Sequence, residues 1–102
     1  MPPKFRVEIT RTAERDLRSI FEYITQESRE AAVRWLAEID RQIETLERFP
    51  KRCPVIPESE ELGREYRHLI LGHYRTLFRI EGKRVLILRV VHGAQLLKLE
   101  GL

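Results

Sequence analysis

The sequence predicts an α+β fold: an N-terminal strand, an antiparallel two-helix hairpin, then a three-stranded antiparallel meander, forming one small sheet packed on the helices. Three observations carry this. Apolar residues recur at helical spacing in two blocks between Ala13 and Leu46 that meet at Ser28. Residues 64–92 instead alternate, in three blocks separated by Gly-centred turns. A proline-rich stretch from Pro50 to Gly63, carrying the acidic run Glu58, Glu60 and Glu61, reads as a loop that joins the two halves.

Each element has its own local reason. Between Lys4 and Ile9, Phe5, Val7 and Ile9 point one way and Arg6 and Glu8 the other, which makes a short half-buried strand. Thr10 and Thr12 are N-cap candidates, and Glu14 and Asp16 suit a helix's first turn. Ala13, Leu17, Ile20 and Ile24 then form one stripe, widened by Phe21, in a helix expected to run to about Glu27. Ser28 caps a second helix whose apolar face is Ala32, Trp35, Leu36, Ile39, Ile43 and Leu46. Phe49-Pro50 ends it, because the residue before proline resists the helical region. The short connection folds the two helices into a hairpin.

In the second half, Arg64–Leu71, Tyr74–Ile80 and Arg84–His92 read as strands, with turns at Gly72-His73 and from Glu81-Gly82. The last strand is apolar on both faces, so a central place in the sheet is expected for it. With 102 residues and no separating linker, residues 1–102 form a single domain.

Composition narrows the function classes. Hydrophobic residues make up 42% and charged residues 34%, as in a soluble globular domain. The sequence has neither an apolar run near membrane-spanning length nor a signal-peptide core. The lone Cys53 cannot form an internal disulfide, and a cytoplasmic location is expected. The formal charge is +3, and its distribution is uneven. Residues 1–63 hold 11 Lys and Arg against 13 Asp and Glu, whereas residues 64–102 hold 8 against 3. The basic surplus therefore lies on the strand half. It suits either a polyanionic or acidic partner or an ordinary solvated face.

Arginines interrupt the strands at Arg67, Arg75, Arg79 and Arg89. Arg75 and Arg79 are two alternations apart and project from one face. If the turn after Ile80 is the three residues Glu81–Lys83, Arg75 sits opposite Arg89, and the repulsion between them costs stability. A two-residue turn shifts the register and removes that argument. The functional reading is a cationic cleft on an open sheet face, able to clamp phosphate or receive a partner's carboxylates. The alternative is arginines lying over aliphatic neighbours with their charged ends in solvent.

His68, His73 and His92 lack metal-ligand spacing, so no metal is expected. His73 reads as a turn residue, His68 as a partly buried hydrogen-bonding side chain, and His92 as a possible acid or base at a strand end. Trp35 and Tyr23 read as core or interface anchors. Phosphate-loop, nucleophile-elbow and zinc motifs are missing from the sequence, and no cofactor is expected.

The order of elements, together with Ala13-Glu14-Arg15-Asp16-Leu17, Phe49-Pro50, Arg64-Glu65-Tyr66-Arg67, Gly72-His73-Tyr74-Arg75 and Val90-Val91-His92-Gly93, resembles the RelE/ParE superfamily of bacterial type II toxins. The likeness covers nearly the whole chain, and its long hairpin and His-Gly ending resemble the ParE branch. It implies a cytoplasmic growth inhibitor associated with plasmid stabilisation. A cognate antitoxin from the same operon would bind the groove between hairpin and sheet, giving a hetero-oligomer with no membrane partner. ParE-like members poison DNA gyrase without a catalytic site. RelE-like members cut mRNA on the translating ribosome without metal, and Arg75 matches the arginine that clamps their scissile phosphate. On that second reading His92 is the proton carrier. RelE-like members also carry basic residues and a tyrosine after the last strand, and ParE-like chains often carry arginines there. Gly93 to Lys98 has neither arginine nor tyrosine, which favours the gyrase reading and leaves a degenerate, non-toxic binding module as a further alternative. Leu96, Leu97, Leu99 and Leu102 are apolar enough to complete the core or line the groove.

Overall fold

The computed structural model describes residues 4–93. Apart from the short α3, which the sequence does not predict, the elements follow the order expected: β1 (Arg6–Ile9), α1 (Arg11–Thr25), α2 (Arg29–Thr45), α3 (Ser59–Leu62), β2 (Arg67–Leu71), β3 (Tyr74–Glu81) and β4 (Arg84–His92). They build one four-stranded sheet in the order β1-β4-β3-β2. β4 is central, as its two apolar faces require. β1 lies parallel to it, and the meander is antiparallel.

Both helices start where their caps stand. The Thr10 hydroxyl accepts from the Ala13 amide at 3.2 Å and donates to the Ile87 carbonyl at 2.9 Å, tying the start of α1 to β4. The Ser28 hydroxyl accepts from the Ala31 amide at 3.1 Å. Such caps contribute about 1 kcal/mol each. α1 stops at Thr25, two residues short of the expected Glu27. The proline stretch is less loop-like than expected. It holds a 3-10 turn at Pro50–Arg52, the short α3, and a bridge from Val55 to Arg67.

The core has two layers. On the helix side, Phe78, Val85, Ile87 and Val90 pack with Ala13, Ile39, Ile43, Leu46 and Cys53. On the other side, Leu77, Leu88 and Val91 are covered by Ile56 and Tyr66 from the segment before β2. The sheet face expected to be open is therefore partly covered. Burial pushes the Cys53 thiol up, as suits a thiol that fills space.

The register corrects the sequence reading. Glu81 pairs with Arg84, so the turn is the two residues Gly82 and Lys83, with Gly82 at φ 58°. A bulge follows: Phe78 faces Ile87, but Leu77 faces Arg89, leaving Leu88 as the extra residue. Arg75 therefore faces Val91, and Arg89 faces Leu77. The expected Arg75–Arg89 opposition does not exist. The bulge also resets the alternation of β4, so Val85, Ile87 and Val90 share the helix-side core while Leu88 and Val91 serve the other.

Candidate functional site

The bulge turns Arg89 towards α1. Its Nε donates to Asp16 Oδ2 at 2.7 Å and its Nη2 to Oδ1 at 3.2 Å. Asp16 Oδ2 also accepts the Val90 amide at 3.0 Å. One carboxylate therefore holds a side chain and the backbone just past the bulge. Above this clamp lies a groove of 440 Å³ between α1 and the end of β4, bordered by Ser19, Ile20, Tyr23, Tyr74, Val90 and His92. Tyr23 is 64% exposed at its rim.

Arg75 and Arg79 share one sheet face, as alternation requires. Arg75 is nine-tenths buried. Its Nη2 donates to Glu58 Oε2 at 2.9 Å, and its Nη1 stands 3.5 Å from His68 Nδ1. Its Nε is buried without a partner among the described residues. The guanidinium donating to Glu58 holds that carboxyl below the usual carboxylate range. Burial, then the nearby Arg75 charge, lowers the pKa of His68 and favours its neutral form. Arg79 pairs with Glu81 at 2.7 Å. Arg67 pairs with Glu65 at 2.7 Å and donates to the Cys53 carbonyl at 2.6 Å.

Arg67, Arg75, Arg79 and Arg89 thus all meet carboxylates, and the cationic cleft expected from the sequence is not formed as such. The partners come from α1, from the residue before α3, and from positions two residues away in sequence. Neither Asp16 nor Glu58 stood out as a site residue. Asp16 lay within the Ala13–Leu17 mark and Glu58 within an acidic run, so only their distance from the arginines in the chain hid them.

His92 pairs with Tyr74 across the ladder, and their rings meet edge-on at 5.6 Å. His73 stacks on His92 with ring centroids 6.0 Å apart, and Tyr74 meets Trp35 of α2 edge-on at 5.6 Å. Trp35 is thus an aromatic anchor. Arg75 shares a face with Val91, so His92 projects from the other. Arg75 and His92 come together only at the end of the sheet. There both border a cleft of 370 Å³ with His68, Gly72, His73 and Gly93. Among the described residues, none form a group of three or more His, Cys, Asp or Glu able to hold a metal ion, and no helix is long and apolar enough to cross a membrane. The segment Ala94 to Leu102, with its Ala94-Gln95 departure and its leucines, lies outside the described residues.

The comparisons agree with this architecture. A chain of the chromosomal ParDE toxin–antitoxin system of P. aeruginosa superposes with a TM-score of 0.69 at 24% identity, covering 87% of this chain and 96% of that one. A chain of the RelBE2 toxin–antitoxin complex of Mycobacterium tuberculosis superposes with a TM-score of 0.64 at 30% identity, covering 87% and 98%. No curated protein sequence matches. Residues 7–97 match the family model described as the ParE toxin of the type II toxin-antitoxin system parDE. On that match the chain belongs to the ParE toxin family, within the RelE/ParE superfamily of type II toxins.

Proposed function

We propose that this toxin is neutralised by a cognate antitoxin and inhibits growth by binding DNA gyrase, without a catalytic site of its own. The observation that carries this is the neutralised state of the strand arginines. Arg75, the cation best placed to clamp a phosphate, already bonds Glu58, and His92 projects from the opposite face. Metal-free cleavage through a 2′-hydroxyl needs a base, an acid and a cation converging on one phosphorus. Here the cation is engaged by Glu58, and His92, on the other face, meets it only at the cleft at the sheet's end.

The antitoxin's place is the groove between α1 and β4. Its apolar wall and exposed Tyr23 suit an amphipathic segment. Arg89 is spent on Asp16 inside that groove, so apolar contact, more than charge, drives this docking. The toxin and antitoxin form a hetero-oligomer in the cytoplasm. Purified protein added to gyrase is expected to inhibit supercoiling and trap cleaved DNA; unaffected supercoiling at excess protein would count against the reading.

A ribosome-dependent mRNA interferase is the second reading, favoured by the cleft that Arg75, His68, His73 and His92 border together. There the 2′-oxygen would attack phosphorus to give a 2′,3′-cyclic phosphate, expelling the 5′-oxygen of the next nucleotide. A neutral histidine would take the 2′ proton, and an acid would return one to the leaving oxygen. Primer extension on translated mRNA would then show codon-positioned cuts that Arg75→Ala abolishes. Expression without growth arrest would point instead to a non-toxic binding module.

A further inference from the structure

Glu58 and Arg75 are unevenly matched. The contact is a single one, Nη2 to Oε2 at 2.9 Å. A guanidinium can engage two oxygens of one anion through paired N–H groups, but here only one such bond is made. Among the described residues Nε is buried with no partner, and Nη1 reaches only the His68 ring at 3.5 Å, a long distance for a hydrogen bond.

The two side chains are also held differently. Arg75 is fixed in the middle of the sheet, paired with Ile70 on one side and Val91 on the other, and its side chain is 10% exposed. Glu58 precedes a four-residue helix in a surface segment, and its side chain is 29% exposed. The cation is built in, while the carboxylate stands where it can leave. Beside them, the described residues bordering the 370 Å³ cleft include three histidines and Arg75 and no Asp or Glu.

We propose that Glu58 is the specificity-determining residue of this cleft: its carboxylate fills the oxyanion place on Arg75, and its withdrawal opens that place, beside His68, to a phosphate group. A tethered carboxylate competes with free anions at an effective concentration on the order of millimolar. The wild-type chain therefore binds phosphate weakly although its sheet carries the cation for it. The Glu58 carboxylate and a phosphate compete for the same guanidinium edge, so they exclude each other. This holds whether gyrase or the ribosome is the cellular target.

The test titrates inorganic phosphate into the full chain at fixed ionic strength and follows the His68 ring resonances. Wild type, Glu58→Gln, Glu58→Asp and the double variant Glu58→Gln/Arg75→Gln are compared, each checked for a cooperative thermal transition. Glu58→Gln is expected to bind phosphate about tenfold tighter than wild type, because a charged competitor is replaced by a neutral one. The gain should vanish in the double variant. Glu58→Asp, whose carboxylate is drawn back by one methylene, should show a smaller gain in the same direction, and it decides the matter if Glu58→Gln does not fold. Phosphate affinity equal to wild type in a folded Glu58 variant, or a gain that survives the loss of Arg75, would overturn the proposal.

Discussion

Arg89 and Arg75 each meet a carboxylate carried by another segment, and the two pairs are built for different ends. Arg89 grips Asp16 with two nitrogens, and the same carboxylate takes the backbone amide of Val90. Three donors converge on a side chain carried by a 15-residue helix. Arg75 meets Glu58 with one nitrogen, keeps an orphaned Nε, and draws its partner from a short surface segment. The first pair joins α1 to the bulge in β4 and so shapes the groove. The second leaves donor capacity unused beside a cleft. A count of salt bridges would rate them alike, but their donor geometry and the rigidity of the partner separate them.

Removing the two carboxylates should expose that difference. Asp16→Ala strands a partly buried guanidinium and the Val90 amide together, and should cost about 2–3 kcal/mol of unfolding free energy. Glu58→Gln should cost under about 1 kcal/mol, since its carboxylate is partly solvated and a neutral amide can still accept a hydrogen bond. Urea unfolding of both variants checks the order. Equal losses, or a larger loss at Glu58, would mean that the pairs do not differ as described.

A smaller effect is expected with pH. His68 is held below the ordinary histidine range by burial and by Arg75, so the unfolded chain binds its proton more readily. That contribution is full above the ordinary histidine value and is lost as pH falls through it. Glu58 is held low by the Arg75 hydrogen bond, so its contribution is full above the ordinary carboxylate value and is lost as pH falls towards the depressed one. Both act in one direction, and acidification should destabilise the fold in two steps, His68 first. His68→Gln should flatten the upper step of the unfolding midpoint against pH, and Glu58→Gln the lower. Each step is expected to stay under about 1 kcal/mol.

The contrast also marks what the sequence made legible. Thr10 and Ser28 announce their helices because a cap is a local device, readable from the residue and the run after it. The central place of β4 was readable from its two apolar faces. The register was not, because alternation fixes faces but does not count turn residues, and Gly82-Lys83 and Glu81–Lys83 satisfy the same pattern. Leu88 was invisible as a bulge, since one more apolar residue in an apolar strand carries no signal. The arginines stood out, but Asp16 lies 73 residues from Arg89 and Glu58 lies 17 from Arg75. Sequence could therefore show the charges and not their neutralisation, and it suggested a bare cationic cleft where the fold holds internal pairs.

We propose that this toxin works by binding a protein, with the charge of Arg75 not spent on a scissile phosphate. Its most direct test is gyrase supercoiling titrated with wild-type protein and with folded Arg75→Ala. Inhibition by both is expected, at closely similar concentrations. A wild-type protein that leaves gyrase untouched, yet cuts translated mRNA only when Arg75 is present, would contradict it.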